Sequence, residues 1–174
     1  MTRPRSTALP IAFVVLRILI VLNWIYGAAI LGLVIFANSN PAWFMKAIDV
    51  PEGLDPKPIM IGLTAIATLG VLAVPLNHLI LTRLVRIVET VSRGDPFVAA
   101  NAYRINAIAW ALLGLQLLSM VIGGIGKAIA SKDFPLHLDA GFSINGWLAV
   151  ILMFVLARVF AEGTLMREDL EGTV

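Results

Sequence analysis

Residues 82–104 read TRLVRIVETVSRGDPFVAANAYR, and this stretch decides how the chain is arranged. Apolar residues recur at helical spacing in its first half, with charged residues between them, which predicts an amphipathic helix. Gly94 is typical of a helix end, because glycine adopts the left-handed backbone readily. Asp95 and Pro96 are expected at the N-cap and the first position of the next helix, which would continue from Phe97. The stretch therefore predicts a tight corner between two helices.

On both sides of this corner the sequence is too apolar for a soluble domain. The chain has 174 residues, 59% of them hydrophobic and only 14% charged, and its mean hydropathy is +0.92. Soluble domains carry about 25% charged residues, whereas a bilayer core of about 30 Å requires about 20 apolar residues in a helix. We therefore predict one integral membrane domain over residues 1–174, an all-α four-transmembrane-helix bundle. Its four spans are about 11–36, 59–81, 105–126 and 144–161.

The cationic residues predict the orientation of the bundle. If the N-terminus lies in the cytoplasm, nine arginines lie on the inner side and four lysines on the outer side. Because cytoplasmic segments of membrane proteins carry the excess of lysine and arginine, both termini and the hairpin between the second and third spans are predicted to be cytoplasmic.

Several kinds of chemistry are not expected from this composition. The chain has no cysteine, which excludes disulfides and thiolate sites. The predicted topology places His78 and His137 on opposite sides of the membrane, and the spans contain no pair of carboxylates. We therefore predict no catalytic, metal or cofactor site, and a protein that is not an enzyme.

Polar side chains inside a span are candidates for function, because burying them in lipid is costly. Four such residues are Arg17, Asn77, His78 and Gln116. Arg17 lies near enough to the inner surface to extend its side chain to water, or it could pair with an acid such as Glu162. Asn77 and His78 follow Pro75, and they could satisfy carbonyl groups that the proline leaves free or contact a neighbouring helix.

The predicted cytoplasmic face supplies the remaining candidates, which are either structural or part of a partner-docking surface. They are Arg93, Gly94, Asp95, Pro96, Phe97, Asn101, Arg104, Arg158, Glu162, Arg167, Asp169 and Glu171. Arg158 and Glu162 are four residues apart, a spacing that permits an ion pair on one helix. Acids of the tail could also dock against arginines of the hairpin, with Arg104 or Arg93 facing Asp169. The simpler alternatives are a tight turn and a solvated helix end.

Two segments carry a resemblance to a family. Residues 83–116, RLVRIVETVSRGDPFVAANAYRINAIAWALLGLQ, and residues 144–174, INGWLAVILMFVLARVFAEGTLMREDLEGTV, are similar to the hairpin and closing signatures of the bacterial membrane proteins grouped as domain of unknown function 2975. The resemblance implies four membrane helices in the bacterial inner membrane and no established activity. It also implies an association with a small soluble helix-turn-helix regulator.

These observations leave two functional interpretations open. The first is a non-enzymatic, multi-pass inner-membrane protein whose cytoplasmic face contacts a soluble helix-turn-helix regulator, without binding nucleic acid itself. The second is a small transporter, channel or immunity-like protein that acts as an oligomer. Glycines and alanines in the spans permit close helix packing, which fits either a single chain in the lipid bilayer or a homo-oligomer.

Overall fold

The structure is a computed structural model that describes residues 8–51, 53–131, 136 and 138–171. Across these residues the secondary structure is entirely helical. The helices are α1 (Ala8–Ser39), α2 (Pro41–Ala47), α3 (Pro56–Ser92), α4 (Ala99–Ile129) and α5 (Ile144–Glu171). All except α2 are long and apolar enough to cross a membrane, as in a multi-pass membrane protein. The predicted all-α fold with four apolar spans is confirmed, whereas His137 lies outside the described residues.

The long helices pack in chain order. α1 packs on α3, α3 on α4 and α4 on α5, while extensive packing between the described parts of α1 and α5 is absent. Two contacts give the direction of each neighbouring pair, and in every pair the residue numbers run in opposite senses, so each helix is antiparallel to the next. The contacts are Gly27–Val74 and Asn38–Thr64, Thr90–Asn101 and Gly62–Ile129, and Trp110–Phe154 and Gln116–Gly146. The bundle is therefore an open row with α1 and α5 at its edges.

One end of the row, here called the corner end, contains the start of α1, the α3–α4 connection and the end of α5. α3 ends as the sequence predicts, with Gly94 at φ +86°. The Gly94 N–H donates to the Val91 carbonyl at 3.0 Å and the Asp95 N–H to the Thr90 carbonyl at 3.1 Å. This pair of bonds is the usual left-handed glycine cap of a helix.

The predicted start of the next helix is wrong. α4 begins at Ala99 after the N-cap Val98, which is extended and makes no side-chain cap, so Asp95 and Pro96 do not occupy the N-cap and first helical position. Asp95 instead pairs with Arg167 of α5, and the Asn101 side chain holds the Pro96 carbonyl at 2.8 Å. For Asp95, an ion pair with a residue remote in sequence has replaced the local cap.

At the opposite end, here called the loop end, the connection before α5 folds down along α4. A Cβ on Gly123 would lie 2.6 Å from the Ala140 carbonyl oxygen, and one on Gly126 would lie 2.5 Å from Leu138. The Gly141 N–H donates to Ser119 Oγ at 3.1 Å. α5 therefore starts at the level of the middle of α4, about ten residues below the end of α4 at Ile129.

Candidate functional site

The corner end is organised around the side chain of Asn101, which is completely buried. Its Nδ2 donates to Thr90 Oγ1 at 2.7 Å and to the Pro96 carbonyl at 2.8 Å. Its Oδ1 accepts a bond from Arg104 Nη1 at 2.7 Å. One buried amide thus joins α3, the connection and α4, and a network of this kind stabilises one arrangement of the corner.

The Arg104 guanidinium extends this arrangement toward α3. Its Nη1 also reaches the Arg86 carbonyl at 3.4 Å, while the Thr90 hydroxyl donates to the Ile87 carbonyl at 2.8 Å. Arg104 is thus directed toward Asn101 and the backbone of α3. Its placement indicates a structural role in the corner.

The C-terminal part of α5 lies against the outer side of the corner. Arg167 forms an ion pair with Asp95 and its Nη1 donates to the Phe97 carbonyl at 3.4 Å. The Phe97 ring lies 5.3 Å from the Phe160 ring, centroid to centroid. A Cβ on Gly163 would lie 3.2 Å from the Phe97 ring, so glycine permits this close contact. We call the Arg167–Asp95 pair the latch.

The sequence predicts that acids of the tail meet arginines of the hairpin. The Arg167–Asp95 pair joins the same two segments with the charges the other way round, the arginine on α5 and the acid on the corner. Asp169 is exposed, and the side chain of Glu171 lies outside the described part of the chain. Arg93, the C-cap residue of α3, is exposed at the same surface.

Arg158 and Glu162 form the ion pair that their spacing predicts. Arg158 Nη2 and Glu162 Oε1 are 2.5 Å apart, and the two side chains are 78% and 51% exposed. Glu162 is therefore paired within α5, whereas the alternative partner Arg17 is on the far edge of the row and lies 5.2 Å over the Phe13 ring. An ion pair this exposed stabilises the fold by less than about 1 kcal/mol.

Two polar residues inside α3 contribute to helix packing. Asn77 Nδ2 donates to the Ala73 carbonyl at 3.1 Å, within the turn that contains Pro75. His78 Nδ1 accepts a bond of 3.1 Å from Trp24 Nε1 of α1. His78 therefore contacts a neighbouring helix. The bond of Asn77 is to a carbonyl of its own helix, but the carbonyl that Pro75 leaves free is that of Val71, four residues before the proline.

Gln116 differs from the other polar candidates because one of its donors is unpaired. Its side chain is buried against Gly146 of α5, and Nε2 has no hydrogen-bond acceptor among the residues that the structure describes. The indole N–H of Trp147, the next residue on α5, is in the same state. Gln116 therefore lies at the α4–α5 interface and not at the corner.

Several contacting residues were not singled out from sequence. Thr90, which bonds to Asn101, lies among other polar residues of an amphipathic helix and carries no distinguishing pattern. Trp24 contacts His78, which is 54 positions away in the sequence. A local pattern of residues cannot predict a contact of that separation. Gly163 could have been suspected, because a small residue in a long helix often marks a close contact.

Comparisons with known proteins point to a family and to no activity. No curated protein and no solved structure gave a significant match to the chain. The model of the family described as "Protein of unknown function (DUF2975)" matches residues 64–174, which include the corner, the latch and all of α4 and α5. This match confirms the resemblance seen in the hairpin and closing segments. The chain belongs to the DUF2975 family.

Proposed function

We propose that this is a non-enzymatic protein of the bacterial inner membrane that contacts a soluble regulator through the corner end, which the arginine bias predicts to be cytoplasmic. The latch is the observation that carries the proposal. It joins two segments remote in sequence, and both of its side chains are 45% exposed. A partner can therefore reach it from water.

The strength of the latch suits a reversible contact. An exposed ion pair contributes less than about 1 kcal/mol, so a protein that binds Asp95 or Arg167 can displace the other residue at little cost. The hydrogen bonds of Asn101 beneath it involve no residue of α5. The tail can thus leave the corner while the corner keeps its shape, which gives two states that a partner can select between.

The regulator that we propose is a small soluble helix-turn-helix protein, the class that the family resemblance implies. In this proposal any nucleic-acid binding belongs to the regulator, and the membrane protein needs no cofactor and no metal. The alternative interpretation, an oligomeric transporter, channel or immunity-like protein, requires no soluble partner at the corner.

The test is affinity purification of the tagged protein from membranes in a mild detergent, with quantitative mass spectrometry of the recovered proteins. Four forms are compared: the unchanged chain, Arg167→Glu, Arg167→Glu with Asp95→Arg, and a chain truncated after Gly163. Glu162→Gln is the matched control, because it breaks an exposed ion pair of the same helix without touching the latch. Insertion of all forms is checked by protease protection of membrane vesicles.

We expect the recovery of one soluble protein to change in Arg167→Glu and to return in the reversed pair, with Glu162→Gln equal to the unchanged chain. Direct binding of that purified protein to the membrane protein completes the test. If the recovery of every soluble protein is the same for all forms, the corner is not a docking surface, and the transporter-like alternative takes its place.

A further inference from the structure

Five arginines lie at nearly one level of the row, close to the corner end. Trp24 and His78 are opposite each other, so Arg17, two turns before Trp24, is level with Arg83 and Arg86, two turns after His78. Arg104 touches the Arg86 carbonyl. Trp110 and Phe154 are opposite each other, which places Arg158 within about one turn of the level of Arg104. We call these five residues the arginine belt.

One member of the belt, Arg158, borders a groove between α4 and α5 that has a volume of ≈ 330 Å³. Its floor is made of small residues, Ala102, Ala157 and Ala161, and its polar rim consists of Tyr103, Asn106 and Arg158. Tyr103 is 83% exposed and the Arg158 side chain 78% exposed. The groove thus combines an apolar floor with hydrogen-bond donors at one edge.

We propose that this groove binds an anionic phospholipid, with its phosphate on Arg158 and the start of an acyl chain over the alanine floor. Guanidinium groups bind phosphate oxygens through paired N–H donors. Glu162 Oε1 occupies Nη2 of Arg158, and the guanidinium carries further N–H donors for a phosphate. A tyrosine and an amide at the rim fit the polar region just outside the hydrocarbon core.

Charge favours a lipid over a second copy of the chain as the occupant. Three rim residues are donors of hydrogen bonds. A phosphate brings several acceptor oxygens to one point, whereas a second copy packed on the alanines would have to supply separate acceptors for these donors. The predicted spans 105–126 and 144–161 place the groove at the cytoplasmic membrane interface, where phospholipid phosphates lie. Basic pockets between membrane helices bind anionic head groups. The proposal is independent of any soluble partner at the latch.

The experiment is native mass spectrometry of the purified protein with added phosphatidylglycerol, compared with phosphatidylcholine of the same acyl chains. Arg158→Gln removes the charge at the groove, and Asn106→Leu removes a rim donor without adding a charge. Arg17→Gln is the matched control, because it removes the same charge at the same level on the opposite edge of the row. Thermal unfolding in detergent establishes that the variants fold.

We expect the unchanged protein to retain phosphatidylglycerol in preference to phosphatidylcholine. Arg158→Gln should lower its occupancy by about fivefold, the factor expected for one arginine at an anionic lipid surface. Asn106→Leu should lower the occupancy less, and Arg17→Gln should leave it unchanged. Glycerol phosphate, which lacks acyl chains, should not displace the lipid.

Three outcomes would overturn the proposal. Equal retention of the two lipids would show that the head group is not recognised. Equal losses in Arg158→Gln and Arg17→Gln would show a diffuse effect of the belt and no site at the groove. A mass of two chains without lipid, lost when Ala161→Leu fills the floor, would assign the groove to a second copy.

Discussion

Asn101 and Gln116 are two buried amides on the same helix, and their surroundings are opposite. Asn101, at the corner end, has partners for both Nδ2 and Oδ1 on α3, α4 and the connection between them. Gln116, in the middle of α4, packs its Oε1 against Gly146 and leaves Nε2 without a described acceptor. The same functional group thus organises the packing of α4 at the corner end and is only accommodated in the middle of the helix.

The difference shows that burial alone does not determine how much a polar residue contributes to the stability of the fold. A buried amide with all its partners stabilises one arrangement of the chain, because each alternative arrangement leaves donors or acceptors unpaired. A buried amide with an unpaired donor already carries that cost in the folded protein. Substitutions at the two sites should therefore have unequal effects even though both side chains are almost entirely buried.

The largest effect is expected for Asn101→Leu. The change removes the acceptor of Arg104 and the donor to the Pro96 carbonyl, and it leaves Thr90 without its amide partner. Removing one side of a buried hydrogen-bond network costs about 1–3 kcal/mol for each group left unpaired, so we expect a total loss near the upper end of this range. Thermal unfolding in detergent, followed by circular dichroism, measures it.

Thr90→Val is the control for this prediction, since it removes only the Thr90 hydroxyl, with its bonds to Asn101 and to the Ile87 carbonyl, at a similar volume. It should lower the melting temperature by a smaller amount than Asn101→Leu. Equal melting temperatures for Asn101→Leu and the unchanged protein would show that the corner is held by packing and not by the amide.

The corner also shows what could be predicted from the sequence. The apolar runs predict the spans, and Gly94 predicts the end of α3, because both features depend on local chemistry. Asp95 was assigned to an N-cap on the same local grounds, but its carboxylate pairs with an arginine 72 positions away. The sequence also could not predict that α5 starts beside the middle of α4, since this depends on how the segment after α4 packs on Gly123.

An intermediate effect is expected for Gly146→Ala. The added methyl group would overlap Gln116 Oε1 and lie 3.0 Å from its carboxamide carbon, so the buried amide has to move. Overpacking of this kind typically costs about 1–3 kcal/mol, and the flexibility of glutamine places this case at the lower end. The double variant Gly146→Ala with Gln116→Ala should recover most of the loss in the same unfolding measurement. No recovery would mean that the strain arises elsewhere on α5.

The smallest effect is expected for Gln116→Leu, and it is the sharpest counterpart of Asn101→Leu because the new residue is the same. Leucine has a similar volume and removes a donor that is unpaired among the described residues. The polar contacts that are lost cost stability, whereas removing the desolvated donor restores it, so the two effects nearly cancel. We expect a change in unfolding free energy within about 1 kcal/mol of zero. Because Trp147 also has an unpaired N–H beside Gly146, its fluorescence reports any rearrangement of this interface. A loss as large as that of Asn101→Leu would contradict the comparison, since it would require an acceptor for Nε2 such as a bound water or lipid.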